Sequence, residues 1–315
     1  MSGGILLSNH VLDAAGPALR EAAGDLCLIV LHPGAIDGDS AGAEIAYFSG
    51  DLYPARVREF VLALAKAESL RWLHVFSAGV DHPWFQQLLA RGIRITTSSG
   101  ASAVPIAQTV ALYLLALSRD LRRWTEAQQR SAWEPHDVVD LQEQSLAILG
   151  MGPIGREVAR LGAALRMRVL GMTRTPKGDE PCETWPLSRL HELLPLADWL
   201  VLALPLGPQT RGLLSAAAIA RMKPGARLLN VGRGELVDEP ALVKALQSGA
   251  LAGAALDVFA VEPLPAESPL WALPNVIVTP HASGSTPANQ PRANGIFVEN
   301  LRRWRKGERL VNEVG

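Results

Sequence analysis

Two patterns of apolar and polar positions alternate along the chain. Short apolar runs, typical of buried strands, are separated by segments in which apolar residues recur every three or four positions, as in helices. The strands predicted in the first third are Ile5–Leu7, Leu26–Leu31, Ile45–Phe48, Trp72–Phe76 and Ile93–Thr96. Helical periodicity is clearest over Ala55–Ala67 and Trp84–Ala90. Alternating strands and helices predict an α/β domain with a parallel sheet.

A break in this pattern follows the segment TTSSGASAVP. A long apolar helix, Ile106–Leu117, comes next, and the chain is then polar and less regular up to Glu143. We therefore place a domain boundary near Gly100.

A second alternating series begins at Leu146 and predicts a doubly wound sheet of six strands. These strands are Leu146–Leu149, Arg168–Met172, Trp199–Ala203, Arg227–Asn230, Ala252–Asp257 and Val276–Val278. One of the intervening helices has clear end signals, with Asp238 as N-cap, Pro240 in the first turn and Gly249 as the stop.

The chain after Ser285 is too short for a domain of its own. Its predicted helix, about Asn289–Trp304, is expected to pack back across the boundary. The predicted domains are therefore 1–100 with 285–315, and 101–284.

The first strand of the second series runs into a glycine-rich turn, LAILGMGPIGREVARLG. Gly150, Gly152 and Gly155 suit a tight turn, a close approach to a pyrophosphate and close packing of the following helix. The N-terminus of that helix would offer free N–H groups to a phosphate. The turn predicts a dinucleotide site, with simple strand-to-helix packing as the alternative.

The next strand ends VLGMTRTPK, without an acidic residue. Thr173 stands where an Asp or Glu would bind the ribose 2′-hydroxyl, and Arg174 and Lys177 follow. A guanidinium pairs well with a phosphate, so this end predicts NADPH in preference to NADH. The alternative is that Arg174 is a surface arginine and that NADH also serves.

Three further motifs each follow a predicted strand of the second series: NVGRGELVD with Arg233, LDVFAVEPLP with Asp257 and Glu262, and VTPHASG with His281. Ligands of open parallel sheets bind at the carboxyl ends of the strands, so the three motifs could converge. An imidazole is a proton donor near neutral pH, and a guanidinium can hold a carboxylate and polarise a carbonyl oxygen. Taken singly, each residue would be read as a surface histidine, a salt-bridge partner or a loop carboxylate.

These motifs resemble the D-isomer-specific 2-hydroxyacid dehydrogenase family. The resemblance rests on GMGPIG, LPLGPQTRGLL, NVIVTPHASGST and the long segment from MKPGARLLNVGRG to LDVFAVEPLP. It implies a Rossmann-type doubly wound domain and a smaller flavodoxin-like α/β domain, with the active site in the cleft between them. The family is usually homodimeric.

The resemblance also implies roles for individual residues. The expected catalytic residues are Arg233, Glu262 and His281, and the expected substrate loop is SAGVD, Ser77 to Asp81, in which Ala78, Gly79 and Val80 bind the substrate together with Arg233. The expected cofactor-binding residues are Gly150, Gly152, Pro153, Ile154, Gly155, Thr173, Arg174, Pro205, Thr210, Val231 and Asp257.

Other positions extend or depart from the family pattern. Trp133 resembles a dimer-contact position that approaches the partner's active site. Two departures lie between the domains, where Ser102 and Gln108 occupy positions at which relatives often have Asn and Glu. A third is Ala203, which precedes Leu204 and Pro205 and stands where many relatives have a polar residue. None of these three departures touches the catalytic trio.

Composition narrows the function classes. The 315 residues are 48% hydrophobic and carry 30 basic and 31 acidic residues, so the net charge of -1 favours neither nucleic acid nor an acidic membrane. The two cysteines, Cys27 and Cys182, are too few for a disulfide framework or a zinc site, and no metal is predicted. The N-terminus lacks a secretory signal pattern and the longest apolar run, Val110 to Leu117, is too short to span a bilayer, so a cytoplasmic protein is expected.

The leading hypothesis is an enzyme that reduces a small 2-oxoacid, such as glyoxylate or hydroxypyruvate, with NADPH. A biosynthetic hydroxyacid dehydrogenase is an alternative within the family, whereas formate-type relatives, which carry Gln at the place of Glu262, are disfavoured. An alternative from another class is a dinucleotide-sensing corepressor or scaffold on the same fold, although no low-complexity segment for partner recruitment is seen.

Overall fold

The computed structural model describes residues 3–80 and 82–314, in which the chain forms two compact units. The first unit comprises Met1–Ala101 and Thr286–Gly315, and the second comprises Ser102–Ser285. The unit boundaries therefore lie one residue beyond the domain boundaries predicted above.

Strands and helices alternate through most of the chain. The strands are β1 Gly4–Ser8, β2 Cys27–His32, β3 Ala35–Asp37, β4 Ala43–Phe48, β5 Trp72–Val75, β6 Arg94–Thr97, β7 Ser145–Leu149, β8 Arg168–Thr173, β9 Glu183–Pro186, β10 Trp199–Leu202, β11 Arg227–Asn230, β12 Gly253–Leu256, β13 Val276–Val278 and β14 Glu313–Val314. The helices are α1 Asn9–Ala23, α2 Val57–Leu64, α3 Pro83–Ala90, α4 Ala103–Ser118, α5 Leu121–Gln129, α6 Pro153–Ala164, α7 Leu190–Leu193, α8 Ala216–Ile219, α9 Glu239–Gln247 and α10 Asn289–Lys306.

The first unit has a seven-stranded sheet in the order β14-β6-β5-β4-β1-β2-β3. Its two edge strands, β3 and β14, are antiparallel to their neighbours, and the five strands between them are parallel. Those five follow the flavodoxin-like order 2-1-3-4-5, which confirms the predicted fold of this unit. The C-terminal helix α10 packs against α1.

The second unit has a seven-stranded, fully parallel sheet in the order β13-β12-β11-β10-β7-β8-β9. The strand order reverses at β7, as in the Rossmann fold, so the predicted doubly wound class is confirmed. The central strands β7 and β10 are completely buried, as expected for strands with helices on both faces. β9 was missing from the six predicted strands, because its sequence ETWP is half-exposed, polar and ends in proline, as only an edge strand can.

Two helices also differ from the expectation. α5 lies in the stretch predicted to be irregular, since its sequence LRRWTEAQQ buries only Ala127 and so carries almost no apolar period. α1, capped by the Ser8 side chain, was not predicted. The start signal of α9 is confirmed, because the Asp238 carboxylate accepts the N–H of Ala241 at 3.1 Å.

No helix in the described parts of the chain is long and apolar enough to cross a membrane.

Candidate active site

The turn between β7 and α6 has the shape that a dinucleotide requires. Gly150 has a φ of 106°, and a Cβ there would lie 2.6 Å from the carbonyl oxygen of Ala203. A Cβ at Gly155 would overlap the carbonyl of Gly150, so α6 packs directly onto the turn. Among the described residues, nothing apart from its own chain neighbours lies within 4 Å of the Cβ position of Gly152, and none of their side chains caps α6, which begins at Pro153. The space and the free helix N-terminus fit a pyrophosphate.

The end of β8 carries the residues predicted to select the cofactor. Thr173 is half-buried, and Arg174 is exposed and has no ion pair or hydrogen bond among the described residues. The Glu180 carboxylate accepts the backbone N–H groups of Lys177 and Gly178 at 3.0 and 2.9 Å, and these bonds lower its pKa. The loop is therefore closed on itself by Glu180, while the Arg174 guanidinium remains available.

The loop after β10 contains two of the predicted cofactor residues. The buried Thr210 hydroxyl donates to the carbonyl of Pro205 at 2.8 Å and accepts the N–H of Gly207 at 2.8 Å. Val231, a third predicted residue, is buried directly after β11. Thr210 thus shapes the loop in which Pro205 is exposed.

The three catalytic motifs leave one edge of the sheet. Asn230, Leu256 and Val278 are paired in register across β11, β12 and β13, so the segments after them start side by side. Parallel strands present their carboxyl ends together, which brings motifs separated by tens of residues into one region.

Asn230 fixes the backbone that carries Arg233. Its buried amide accepts the N–H of Gly232 at 3.0 Å and donates to the carbonyl of Arg233 at 2.9 Å. The half-buried Arg233 side chain donates to the carbonyl of Gly232 at 2.8 Å. Asn230 was not predicted to matter, although its position at the very end of an apolar strand was a usable signal.

A continuous set of contacts links this loop to the imidazole. A Cβ at Gly234 would overlap the backbone of Phe259, so the two loops are in contact. The N–H of Phe259 donates to Oε1 of Glu262 at 3.0 Å, and Oε2 of Glu262 lies 2.7 Å from Nδ1 of His281. Glu262 and His281 therefore form a pair, and both side chains keep solvent access, with 36% and 51% exposed.

Asp257 holds the segment that presents His281. Its carboxylate is buried and accepts the Thr279 hydroxyl at 2.6 Å and the N–H groups of Ala282 and Ser283 at 2.9 and 3.0 Å. The backbone N–H of His281 donates to the carbonyl of Asp257 at 2.9 Å. These bonds hold His281 at a φ of 50°, a left-handed conformation that is uncommon for a residue other than glycine and that tends to occur at functional sites.

Tyr113 completes this support from α4. Its hydroxyl lies 2.5 Å from the Thr279 hydroxyl, and burial raises the pKa of Tyr113 to about 12, so it remains neutral near pH 7. The sequence held no signal for Tyr113, since it lies within an almost wholly apolar helix.

The predicted substrate loop lies in the first unit, directly after β5. The Ser77 hydroxyl donates to the carbonyl of Gly79 at 2.8 Å, and the Gln86 side chain donates to that of Val80 at 3.2 Å. Across the described residues the N–H groups of Gly79 and Val80 have no acceptor, which leaves two adjacent donors. Ala78 is exposed, and Asp81, the last residue of the motif, lies outside the described residues.

The remaining predicted positions are also placed. Trp133 is 94% exposed, in the irregular segment after α5. Ser102 lies against Gly284, and Ala203 lies against Gly150. Gln108 is exposed. Within the described chain, no group of three or more His, Cys, Asp or Glu residues could hold a metal ion.

The second unit is thus a dinucleotide-binding α/β domain with a carboxylate–imidazole pair at the carboxyl ends of its strands. Residues 111–283 match the family model described as "D-isomer specific 2-hydroxyacid dehydrogenase, NAD binding domain". The chain belongs to this family of NAD(P)-dependent oxidoreductases.

Two named relatives illustrate the range of the family. The chain is 37% identical over 261 residues to a glyoxylate reductase of Aeropyrum pernix, covering 80% of this chain and 78% of that protein. It is 34% identical over 257 residues to a D-3-phosphoglycerate dehydrogenase of Methanocaldococcus jannaschii, covering 80% of this chain. The match spans only 48% of the latter, so the chain covers about half the length of that relative.

Two solved structures are similar over the whole chain. A D-isomer specific 2-hydroxyacid dehydrogenase of Xanthobacter autotrophicus Py2, in complex with NADPH and MES, has a TM-score of 0.82 and 32% identity, covering 100% of this chain and 98% of the other. An NADPH-dependent glyoxylate/hydroxypyruvate reductase of Sinorhizobium meliloti, in complex with NADP and sulfate, has a TM-score of 0.80 and 28% identity, with the same coverage.

Proposed function

We propose that the protein reduces a small 2-oxoacid, glyoxylate or hydroxypyruvate, with NADPH and yields the D-2-hydroxyacid where a stereocentre forms. The observation that carries this proposal is the pairing of His281 with Glu262 next to the Arg233 loop, in a unit with a dinucleotide turn. The glyoxylate and hydroxypyruvate reductases among the relatives support the choice of substrate.

The roles of the three side chains follow from their chemistry. The hydride that reduces the carbonyl carbon of the substrate would come from NADPH when it is bound. His281 donates a proton to the carbonyl oxygen through Nε2, because Nδ1 is held by Glu262. Glu262 orients the ring through this hydrogen bond. Arg233 binds the substrate carboxylate and stabilises the negative charge that develops on the carbonyl oxygen.

The substrate carboxylate needs further donors, and the substrate loop has them. The N–H groups of Gly79 and Val80 are adjacent and without an acceptor among the described residues, and Ala78 precedes them with only a methyl group. Two backbone donors beside each other suit a carboxylate. We therefore assign binding of the substrate carboxylate to this loop and Arg233 together.

For the cofactor we assign the pyrophosphate to the turn Gly150–Gly155 and the 2′-phosphate of NADPH to Arg174 and Thr173. Arg174 has no carboxylate partner among the described residues, so its charge is available. Both similar structures contain an NADP cofactor in its reduced or oxidised form. Pro205, Thr210, Val231 and Asp257 are proposed to border the remainder of the cofactor.

We further propose a homodimer formed through α4, α5 and the segment that follows α5. These elements expose large apolar side chains to solvent in the single chain: Val104, Leu112, Leu115, Leu121, Trp124 and Trp133. Monomers rarely leave such a group uncovered, and a self-complementary face is the usual basis of a two-fold dimer. Separately, we propose that the protein is cytoplasmic.

A panel of 2-oxoacids tests the proposal directly. NADPH oxidation is followed by absorbance with glyoxylate, hydroxypyruvate, pyruvate and 3-phosphohydroxypyruvate, and each is repeated with NADH. We expect the highest kcat/KM for glyoxylate or hydroxypyruvate with NADPH. Tight NADPH binding without turnover of any 2-oxoacid would instead favour a dinucleotide-sensing protein.

A further inference from the structure

Four aromatic side chains form a continuous group in the first unit, which we call the aromatic wall: Phe48, Tyr53, Phe76 and Trp84. The Phe48 ring lies edge-on to Phe76 at 5.6 Å between centroids and edge-on to Trp84 at 6.5 Å. Tyr53 lies 6.1 Å from Phe76. Each distance is within the range of favourable aromatic contacts.

The aromatic wall stands at the carboxyl edge of the sheet. Phe48 ends β4 and is paired in register with Val75, which ends the neighbouring β5. Phe76 is therefore the first residue beyond its strand, and its ring lies 3.5 Å from the Cβ position of Gly50, two residues beyond β4. Tyr53 follows the short helical turn Gly50–Leu52 within that same connection.

The aromatic wall adjoins the substrate loop. Phe76 immediately precedes Ser77, and Val80 packs on the same apolar cluster as Phe76 and Trp84. The N–H groups of Gly79 and Val80, which we assign to the substrate carboxylate, thus lie beside one end of the aromatic wall. A 2-oxoacid held there by its carboxylate would have its side chain near these rings.

The rings are open where a ligand could reach them. Phe48 is buried and forms the base, Phe76 and Trp84 are half-buried, and Tyr53 is 62% exposed. An aromatic side chain gains stability when its face is covered, so a ring left open beside a binding loop offers a surface for another apolar group. Glyoxylate has no side chain that could use this surface.

We propose that, besides the small 2-oxoacids of the proposed function, the site accepts 2-oxoacids with an aromatic side chain, the arylpyruvates, and that Tyr53 and Phe76 determine this additional specificity. This inference rests on the proposed function, since the reaction is the same: a hydride from NADPH adds to the carbonyl carbon and a proton adds to its oxygen. NADP⁺ and the D-3-aryllactate, in which the new hydroxyl is on C2 and the aryl group stays on C3, are the products.

The first test compares phenylpyruvate with pyruvate, which differ only by the phenyl ring. With NADPH, kcat/KM for phenylpyruvate should exceed that for pyruvate by about tenfold or more, the scale of discrimination by small apolar groups in a hydrophobic pocket. A kcat/KM for phenylpyruvate equal to or below that for pyruvate overturns the proposal.

Variants of Tyr53 and Phe76 test whether these side chains cause the preference for phenylpyruvate over pyruvate. Tyr53→Ala and Phe76→Leu should each lower the ratio of the two kcat/KM values about tenfold. Tyr53→Phe, which keeps the ring, should restore the ratio. Leu62→Ala is the matched control, because Leu62 is 57% exposed on α2 and lies outside the aromatic wall. A ratio that changes less than twofold in both Tyr53→Ala and Phe76→Leu contradicts the assignment.

A binding measurement separates this inference from the proposed function. If none of the 2-oxoacids is reduced, the proposed function fails, and the aromatic wall is still tested by calorimetry of D-phenyllactate and D-lactate in the presence of NADP⁺. Tighter binding of D-phenyllactate, lost in Tyr53→Ala, supports the wall as a site for aryl groups. Equal affinities, or no binding of either, overturn it whether or not the enzyme turns over.

Discussion

Nδ1 of His281 lies 2.7 Å from Oε2 of Glu262, and the other oxygen of the same carboxylate accepts the N–H of Phe259 at 3.0 Å. The carboxylate is thus fixed at both oxygens, and the imidazole has only Nε2 free to meet a substrate. A ring oriented in this way can transfer a proton without first having to be positioned.

We predict that His281→Ala lowers kcat by about 10²- to 10⁴-fold, the usual contribution of a positioned proton donor. Glu262→Gln should have a smaller effect of the same kind, because the ring is retained but loses its charged partner. Steady-state kinetics and circular dichroism check activity and folding. The matched control is Glu267→Gln, an exposed carboxylate of the same loop. Activity near the wild-type value in His281→Ala would contradict its role.

For cofactor choice we predict that Arg174→Ala lowers the ratio of kcat/KM with NADPH to kcat/KM with NADH by about 10- to 100-fold. This is the effect of losing about 1.5–3 kcal/mol of charge-assisted hydrogen bonding to the 2′-phosphate. Arg221→Ala, the loss of an exposed arginine after α8, is the control. An unchanged ratio in Arg174→Ala would show that this guanidinium does not bind the phosphate.

Loss of the Asp257 carboxylate should act through the loop. In Asp257→Ala the buried N–H of Ser283 loses its acceptor, and we expect a decrease of about 3 kcal/mol in the free energy of unfolding. kcat should decrease as well, since the loop carries His281. Chemical denaturation and kinetics measure the two effects. A variant with unchanged stability would show that the carboxylate does not hold the loop.

The fully buried His74 predicts a dependence of stability on pH. Burial lowers its pKa from 6.5 to about 3; its ring lies between the Thr96 and Ser98 hydroxyls and near the rings of Tyr47 and Phe297. The unfolded chain binds a proton at this residue below about pH 6.5, whereas the folded chain does not until about pH 3. Stability is therefore lost as the pH falls through this window, by about 1.4 kcal/mol for each pH unit.

Denaturant unfolding between pH 7 and pH 4 measures this slope. In His74→Gln the slope should decrease by about that amount, even if the variant is less stable at every pH. His32→Gln, which alters an exposed histidine of the same unit, should leave the slope unchanged. Equal slopes in the wild type and His74→Gln would contradict the prediction.

The proposed dimer face gives a further prediction. Leu112→Arg places a charge on a side chain that is 56% exposed in the single chain, so the fold should tolerate it. We expect light scattering to give twice the 33.7 kDa chain mass for the wild type and a single mass for the variant. Leu196→Arg, at an exposed leucine outside α4 and α5, should remain dimeric. A monomeric wild type would remove this part of the proposal.

The sequence by itself determined the class of each unit and singled out the candidate catalytic residues along the chain. Buried parallel strands appear in the sequence as short apolar runs, and the turn at Gly150–Gly155 needs glycines for steric reasons. Both features can therefore be predicted from the sequence. Arg233, Glu262 and His281 could be singled out because each follows a strand.

Only the tertiary structure decided how these residues are held. The bonds from Asp257 to the His281 segment, the hydrogen bond between Tyr113 and Thr279, and the aromatic wall join residues that are distant in the chain and have no periodic signal. The edge strand β9 and helix α5 were missed because they bury little apolar surface, the quantity on which sequence patterns depend. Periodicity records which side chains are covered, whereas the partner of a polar group is fixed only when the strands align.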